Sequence, residues 1–355
     1  MVDAHSHLAL VCSYAEDDSG GVFSYRWNES DGSLDALERT PARATTFGVV
    51  HPRGTYFYTT NRFDGGVVSA FRIDHESGEL VELNRRSSGG AGPCHVSVDA
   101  TGRFVFVANY TEGTIAMLPI EADGRLGDAT DVVEHEGSSV DPERQADPHP
   151  HSISPGPANR FVYVPDLGTD HVVIYRIDAD EGRLRPTDAT HATVHEGAGP
   201  RHLDFHPNDR FAYVINELDS TISAFEYHPE SGALETIQTV GTLPDGFEED
   251  SFCADIHVHS TGKWVYGSNR GHDSIAIFEV DRESGRLRSV GHEPTRGHWP
   301  RNFALDPSGR FLCAENRRSD SMVVFEVDEG TGRLTATGQR VSLPEPLCLQ
   351  SVTAP

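Results

Sequence analysis

Histidine, arginine, aspartate and glutamate gather in this chain at the ends of short apolar runs, where they could do chemistry. Five runs open with Cys94-His95, His151-Ser152, Arg201-His202, Ala254-Asp255 and Arg301-Asn302. Six others close with Asn61-Arg62, Asn109-Tyr110, Asp166-Leu167, Asn216-Glu217, Asn269-Arg270 and Asn316-Arg317. A guanidinium offers a planar fork of donors that fits a carboxylate or phosphate. Arg201, Arg270 and Arg301 are therefore candidate clamps for an anionic ligand. The alternative is that they form structural ion pairs with Glu217, Asp255 or Asp166. His151, Glu217, His95, Asn109, His202, Asp255 and Arg301 stand at the same run ends and complete the candidate site.

Other signals point away from metal and cofactor chemistry. There are 19 histidines, and the pairs His5/His7, His149/His151 and His257/His259 invite a metal reading. A zinc site needs three or four convergent ligands with supporting partners. His51, His206 and His259 instead fill a turn slot that Asp99 and Asp306 fill elsewhere, so neither metal nor cofactor is expected. The chain has no P-loop, no dinucleotide fingerprint and no G-x-S-x-G elbow. Asn61, Asn109, Asn216, Asn269 and Asn316 share one slot, which Asp166 takes in another unit. Such a series reads mainly as a fold device, a side chain capping the following loop through its own backbone.

The elements that must position these groups are repeats. Gly-x-Leu occurs at Gly32/Leu34, Gly78/Leu80, Gly124/Leu126, Gly182/Leu184, Gly232/Leu234, Gly285/Leu287 and Gly332/Leu334, with 46 to 58 residues between successive glycines. A short polar residue followed by glycine is hairpin chemistry. A period-2 strand such as Ile222–Tyr227 precedes each hairpin, and a second strand marker, such as Gly102 to Asn109, lies upstream. Each unit reads as four antiparallel strands, A to D, which is a propeller blade. The expected fold is all-β, a seven-bladed propeller forming one domain over residues 1–355. The first unit lacks an A strand, and Pro346 to Val352 resembles one, so the C-terminal strand is expected to complete the first blade and close the ring. Strand A begins on the face where strand B ends. The A starts and B ends should therefore surround one mouth of the central channel.

Composition narrows the partners. Net charge is −26, and Lys263 is the single lysine. This surface disfavours nucleic acid and anionic membranes. The acids are spread over all repeats, as in proteins adapted to high salt. Five cysteines, without a C-x-x-C pair, suggest a reducing cytoplasm. The first residues show no signal peptide, and no apolar run is long enough to span a membrane. A monomer or weak homo-oligomer is expected.

The segment Glu196 to Asn208, with Gly199-Pro200-Arg201-His202, and its continuation Tyr213-Val214-Ile215-Asn216-Glu217-Leu218 resemble the propeller-type 6-phosphogluconolactonases. The related 3-carboxymuconate lactonizing enzymes share the fold. Pro93–Ser97, Ala254–His257 and Pro300-Arg301 extend the similarity along the chain. The resemblance implies a metal-independent lactonase acting on a small anionic sugar lactone, with His151, Arg201, Glu217 and Arg270 as the catalytic set. The alternatives are a muconate-type cycloisomerase and a non-enzymatic binding propeller. The acidic insert Asp141 to Asp147 departs from the pattern and lies where it could reshape the entrance.

Overall fold

A computed structural model describes residues 6–63 and 65–352; His5 of the His5/His7 pair and the start of the chain lie outside them. Seven sheets of four antiparallel strands form the fold, each a blade, and one 3₁₀ turn at Arg317–Ser319 interrupts the strand pattern. The first blade pairs Pro346–Val352 with Ser6–Ser13, so the C-terminal strand is its innermost member. Closure thus rests on backbone pairing from Leu8↔Val352 to Ser13↔Pro346.

Alternation explains why these segments pair as they do. In strand Thr221–Tyr227 both faces are covered: Ile222 and Ala224 pack toward blade six, Phe225 and Tyr227 toward blade four, and Glu226 is exposed. Side chains from neighbouring blades fill the space between them. Phe211, Tyr213 and Ile215 of blade five, for example, pack with Ala276, Phe278 and Leu287 of blade six.

The Gly-x-Leu hairpin has a further role between blades. The hydroxyls of Tyr58, Tyr163, Tyr213 and Tyr266 each donate to the carbonyl of the hairpin glycine in the next blade, Gly124, Gly232, Gly285 and Gly332, at 2.8–3.1 Å. Gly285 has φ +70, and a Cβ there would lie 2.5 Å from the Phe211 ring. Glycine is required at this hairpin both for its backbone and for the aromatic ring lying on it.

Two expectations change in detail and a third holds. The asparagine series does not cap its own following loop as a rule. Asn61, Asn109, Asn269 and Asn316 donate to the carbonyls of Arg43, Ser88, Thr242 and Thr295, in the segments that enter each blade from the preceding one. They tie the inner strand's approach to the blade core. The histidine turn slot behaves as expected, with His51, His206 and His259 bonded through Nε2 to the carbonyls of Gly102, Gly262 and Gly309. Finally, the inner strand of blade four is reduced to Ser154–Pro155 plus a bridge between Pro150 and Asp166, so His151 sits in irregular backbone rather than in a strand.

Candidate functional site

The inner strands do not enter the channel in simple alternation. In six blades the pairing of strands A and B shifts by one residue near the start of strand A. Pro200 pairs with Asn216 but His202 with Ile215, leaving Arg201 as the extra residue. Arg301 is extra in the same way between Pro300 and Asn302. A bulge re-aims the side chain it carries. Here it lets two consecutive residues, Arg201 and His202, both belong to the channel wall.

Glu217, at the end of strand Phe211–Asn216, is the hub. Its Oε2 accepts from Arg201 Nε at 3.0 Å and lies 2.8 Å from Arg270 Nη2, and its Oε1 accepts from Arg144 Nη2 at 2.8 Å. Burial alone would raise its pKa, but Arg270, Arg201 and Arg144 hold the carboxyl well below the usual range. Arg201 also donates to the carbonyl of Ala254 and to His202 Nε2, and it is 1% exposed. Burial, then the neighbouring Arg270, lowers its pKa to about 10, so it remains charged at neutral pH. Arg270 donates to the carbonyls of Phe252 and Cys253 and lies 5.5 Å over the Trp299 ring.

Two of the three expected clamps are therefore paired with Glu217, as the structural alternative held. Arg301 differs. Among the described residues no hydrogen bond or ion pair engages it, and it is partly exposed. Burial, then the neighbouring Arg201 and Arg270, push its pKa down against the attraction of Glu217, so this cation stands among like charges with no carboxylate paired to it. Such a site favours a bound anion.

Beneath the arginines lies a floor of rings. His151, His202, His95 and Phe47 meet in sequence at centroid separations of 5.5, 5.4 and 4.3 Å. His202 Nε2 accepts from Arg201, so its proton is on Nδ1, which donates to Asp255 Oδ1 at 2.7 Å. Burial, with Arg201 alongside, lowers the His202 pKa to about 4 despite Asp255. Asp255 also takes His257 Nε2 at 3.0 Å and the Asn302 amide, so it is an orienting carboxylate. His95 Nδ1 accepts from the Ile153 amide at 3.3 Å. Below the floor, His95, His202 and Asp255 line a cavity of about 210 Å³ with Ser97, Ser152 and His257.

His151 is 4% exposed and kept neutral. Burial lowers its pKa well below the ordinary value, and Arg201, His202, Arg301 and Arg270 lower it further. Its Nδ1 faces the Cys94 thiol at 3.9 Å, and among the described residues no group bonds its Nε2.

Eight of the nine candidate residues thus gather at one mouth and its floor. Asn109 stands apart in role. It is fully buried, and its amide is taken by Ser88 and Thr114, so its side chain serves the blade. Arg144 and Tyr110 were missed as contacts. Tyr110 stacks on His149 at 4.5 Å and meets His151 edge-on at 5.3 Å. The available signal was Arg144 itself, the one cation inside an acidic insert. Among the described residues one cluster of potential metal ligands comes together, Glu226, His228 and Glu235, exposed on an outer edge, and it includes neither His149/His151 nor His257/His259.

Comparison with known proteins gives a consistent result. Residues 8–351 match the family model described as lactonase, 7-bladed beta-propeller. The 6-phosphogluconolactonase of Bacillus subtilis strain 168 is 39% identical over 307 residues, covering 85% of this chain and 86% of its own. The 6-phosphogluconolactonase of Formosa agariphila is 32% identical over 310 residues, covering 84% and 86%. The solved periplasmic gluconolactonase of Pseudomonas aeruginosa superposes with a TM-score of 0.93 at 32% identity, covering 99% of this chain and all of that one.

Proposed function

We propose that this chain, which belongs to the seven-bladed β-propeller lactonase family, hydrolyses 6-phosphogluconolactone to 6-phosphogluconate. The observation that carries this reading is a neutral, buried His151 beside the unpaired cation Arg301. A lactone needs those two things, a base for water and a positive wall for the carbonyl oxygen. The names of relatives at 32–39% identity supply the substrate class.

In this reading His151 Nε2 takes a proton from water as the water oxygen bonds to the lactone carbonyl carbon. Charge moves to the carbonyl oxygen, where Arg301 receives it, with Arg201 and Arg270 behind. Collapse restores the carbonyl and breaks the ring C–O bond. The proton on His151 passes to the leaving ring oxygen, and the new acid ionises. Glu217 is too weak a base for the first step, because its carboxylate is held ionised by three guanidiniums. Its role is to fix Arg201 and Arg270. His95 and His202 form the surface on which the sugar hydroxyls rest.

Five buried free thiols fit a reducing cytoplasm, and that is where the reading puts the protein. Among the described residues no helix is long and apolar enough to cross a membrane.

The test is acid release from freshly prepared 6-phosphogluconolactone, corrected for spontaneous hydrolysis, at low and high salt. Wild type should exceed the background, and His151→Asn should lower kcat by about 10²–10⁴-fold with the melting temperature retained. Wild-type turnover no faster than background would sink the assignment.

A further inference from the structure

Arg144 has no place in the hydrolytic step, yet it is built into the mouth. It comes from the insert between strand Asp131–Glu134 and Ser154–Pro155. The insert is anchored. Gln145 is fully buried and donates from Nε2 to the Leu167 carbonyl and Asp170 Oδ1, both at 2.8 Å. The backbone amide of Gln145 bonds the Asp141 carbonyl, and Asp141 Oδ1 accepts from the amides of Glu143 and Arg144. Asp141 lies partly exposed, while Glu143 and Asp147 are exposed on the same segment. In an insert of this charge, it is the cation that reaches over the site.

Its guanidinium is only partly used. Nη2 meets Glu217 Oε1 at 2.8 Å and the Tyr110 hydroxyl at 3.5 Å. Among the described residues Nε and Nη1 make no hydrogen bond. The Arg144 side chain is 34% exposed, whereas those of Arg201 and Arg270 are 2% and 5% exposed. Arg201 and Arg270 already pair with Glu217 through Oε2, so the carboxylate is held from that side without Arg144. The mouth therefore carries a surplus guanidinium at its rim, with free donors and access to solvent.

Substrate geometry supplies a use for it. The reacting carbonyl must reach the buried His151, with the partly exposed Arg301 beside it. A phosphate ester on the carbon remote from that carbonyl then points outward, to the rim. We propose that Arg144 binds this phosphate and sets the preference for phosphorylated over unphosphorylated lactones. The proposal rests on the lactonase reading above. It makes the insert a specificity element.

Steady-state kinetics of the full chain on 6-phosphogluconolactone and on unphosphorylated gluconolactone test it, with wild type, Arg144→Gln and Arg144→Lys. Losing a charge-assisted bond to phosphate should raise KM for the phosphorylated lactone about 10–100-fold in Arg144→Gln. KM for gluconolactone should change by less than about 3-fold, and kcat on both should fall far less than KM rises. Arg144→Lys, a point charge without the fork, should fall between. Inorganic phosphate should inhibit wild-type gluconolactone turnover competitively, and more weakly inhibit Arg144→Gln. An equal loss on both lactones, or a loss in kcat alone, would overturn the proposal and make Arg144 a support for Glu217. Wild type that prefers the unphosphorylated lactone would overturn it too. Wild type active on neither lactone would bring down the lactonase reading itself, a result distinct from the other two.

Discussion

At the scale of single residues, the site assigns different work to groups of the same type. Three arginines share Glu217, and the fourth, Arg301, has no partner. Removing Arg301 should therefore cost the fold little, because no buried carboxylate is left behind. Arg301→Gln should lower kcat by about 10²–10³-fold, as for loss of an oxyanion donor, while its melting temperature stays at or above that of wild type. Arg270→Gln should behave in the opposite way and melt lower, since it strips one cation from the buried Glu217. Thermal melts of the two variants beside their kcat values check the contrast. In the proposed mechanism the pH dependence follows from His151 as the base. Its folded pKa lies below 6.5, so the neutral base persists below the usual histidine range and is lost only as pH falls through the lowered value. The acid limb of kcat/KM should accordingly lie below pH 6.5, and a limb at or above 6.5 would point to another base.

At the scale of elements, the sequence markers turn out to have two jobs each. The Gly-x-Leu hairpin was legible as a turn, and it also receives the tyrosine hydroxyl of the preceding blade. Tyr213→Phe should cost about 1 kcal/mol, the net value of one buried hydrogen bond. Gly285→Ala should cost more, because it strains a backbone at φ +70 and drives a methyl into the Phe211 ring. Urea titrations of both variants give the ordering, and an Ala variant as stable as wild type would contradict the packing argument. The asparagine slot was legible as structural, but its partners lie in the segment entering the blade from outside. Sequence spacing cannot show that, since Asn109 and Ser88 are brought together by the crossing between blades.

At the scale of the whole molecule, closure and charge dominate. The ring is held shut by pairing of Pro346–Val352 with Ser6–Ser13, and that strand carries Leu347, Cys348 and Leu349 into the core. A chain ending before Pro346 would leave the edge of Ser6–Ser13 open and its apolar face uncovered. It should be recovered as aggregate, and a synthetic peptide of residues 346–352 added during refolding should restore part of the soluble yield. The net charge of −26 acts against compactness through self-repulsion. Salt at 1 M shortens the screening length to about 3 Å, so the melting temperature should climb steeply between low and molar KCl. A flat salt response would show that the acids are already compensated locally.

What the sequence determined by itself was the periodic part. Seven hairpins, the period-2 strands and the spare C-terminal strand follow from local turn chemistry and alternation, which read directly from neighbouring residues. Strand direction also placed the chemically loaded mouth, because antiparallel order alone decides which ends meet. The tertiary structure decided what each charged group does there. A bulge near the start of six inner strands breaks the alternation, and so brings Arg201 and His202 together into the wall. The long loop from blade three carries Arg144 onto Glu217 from 73 residues away. Those outcomes depend on which unlike charges find each other across blades in a buried space. Coulomb energy and burial settle that by distance in the fold, and distance along the chain carries no record of it.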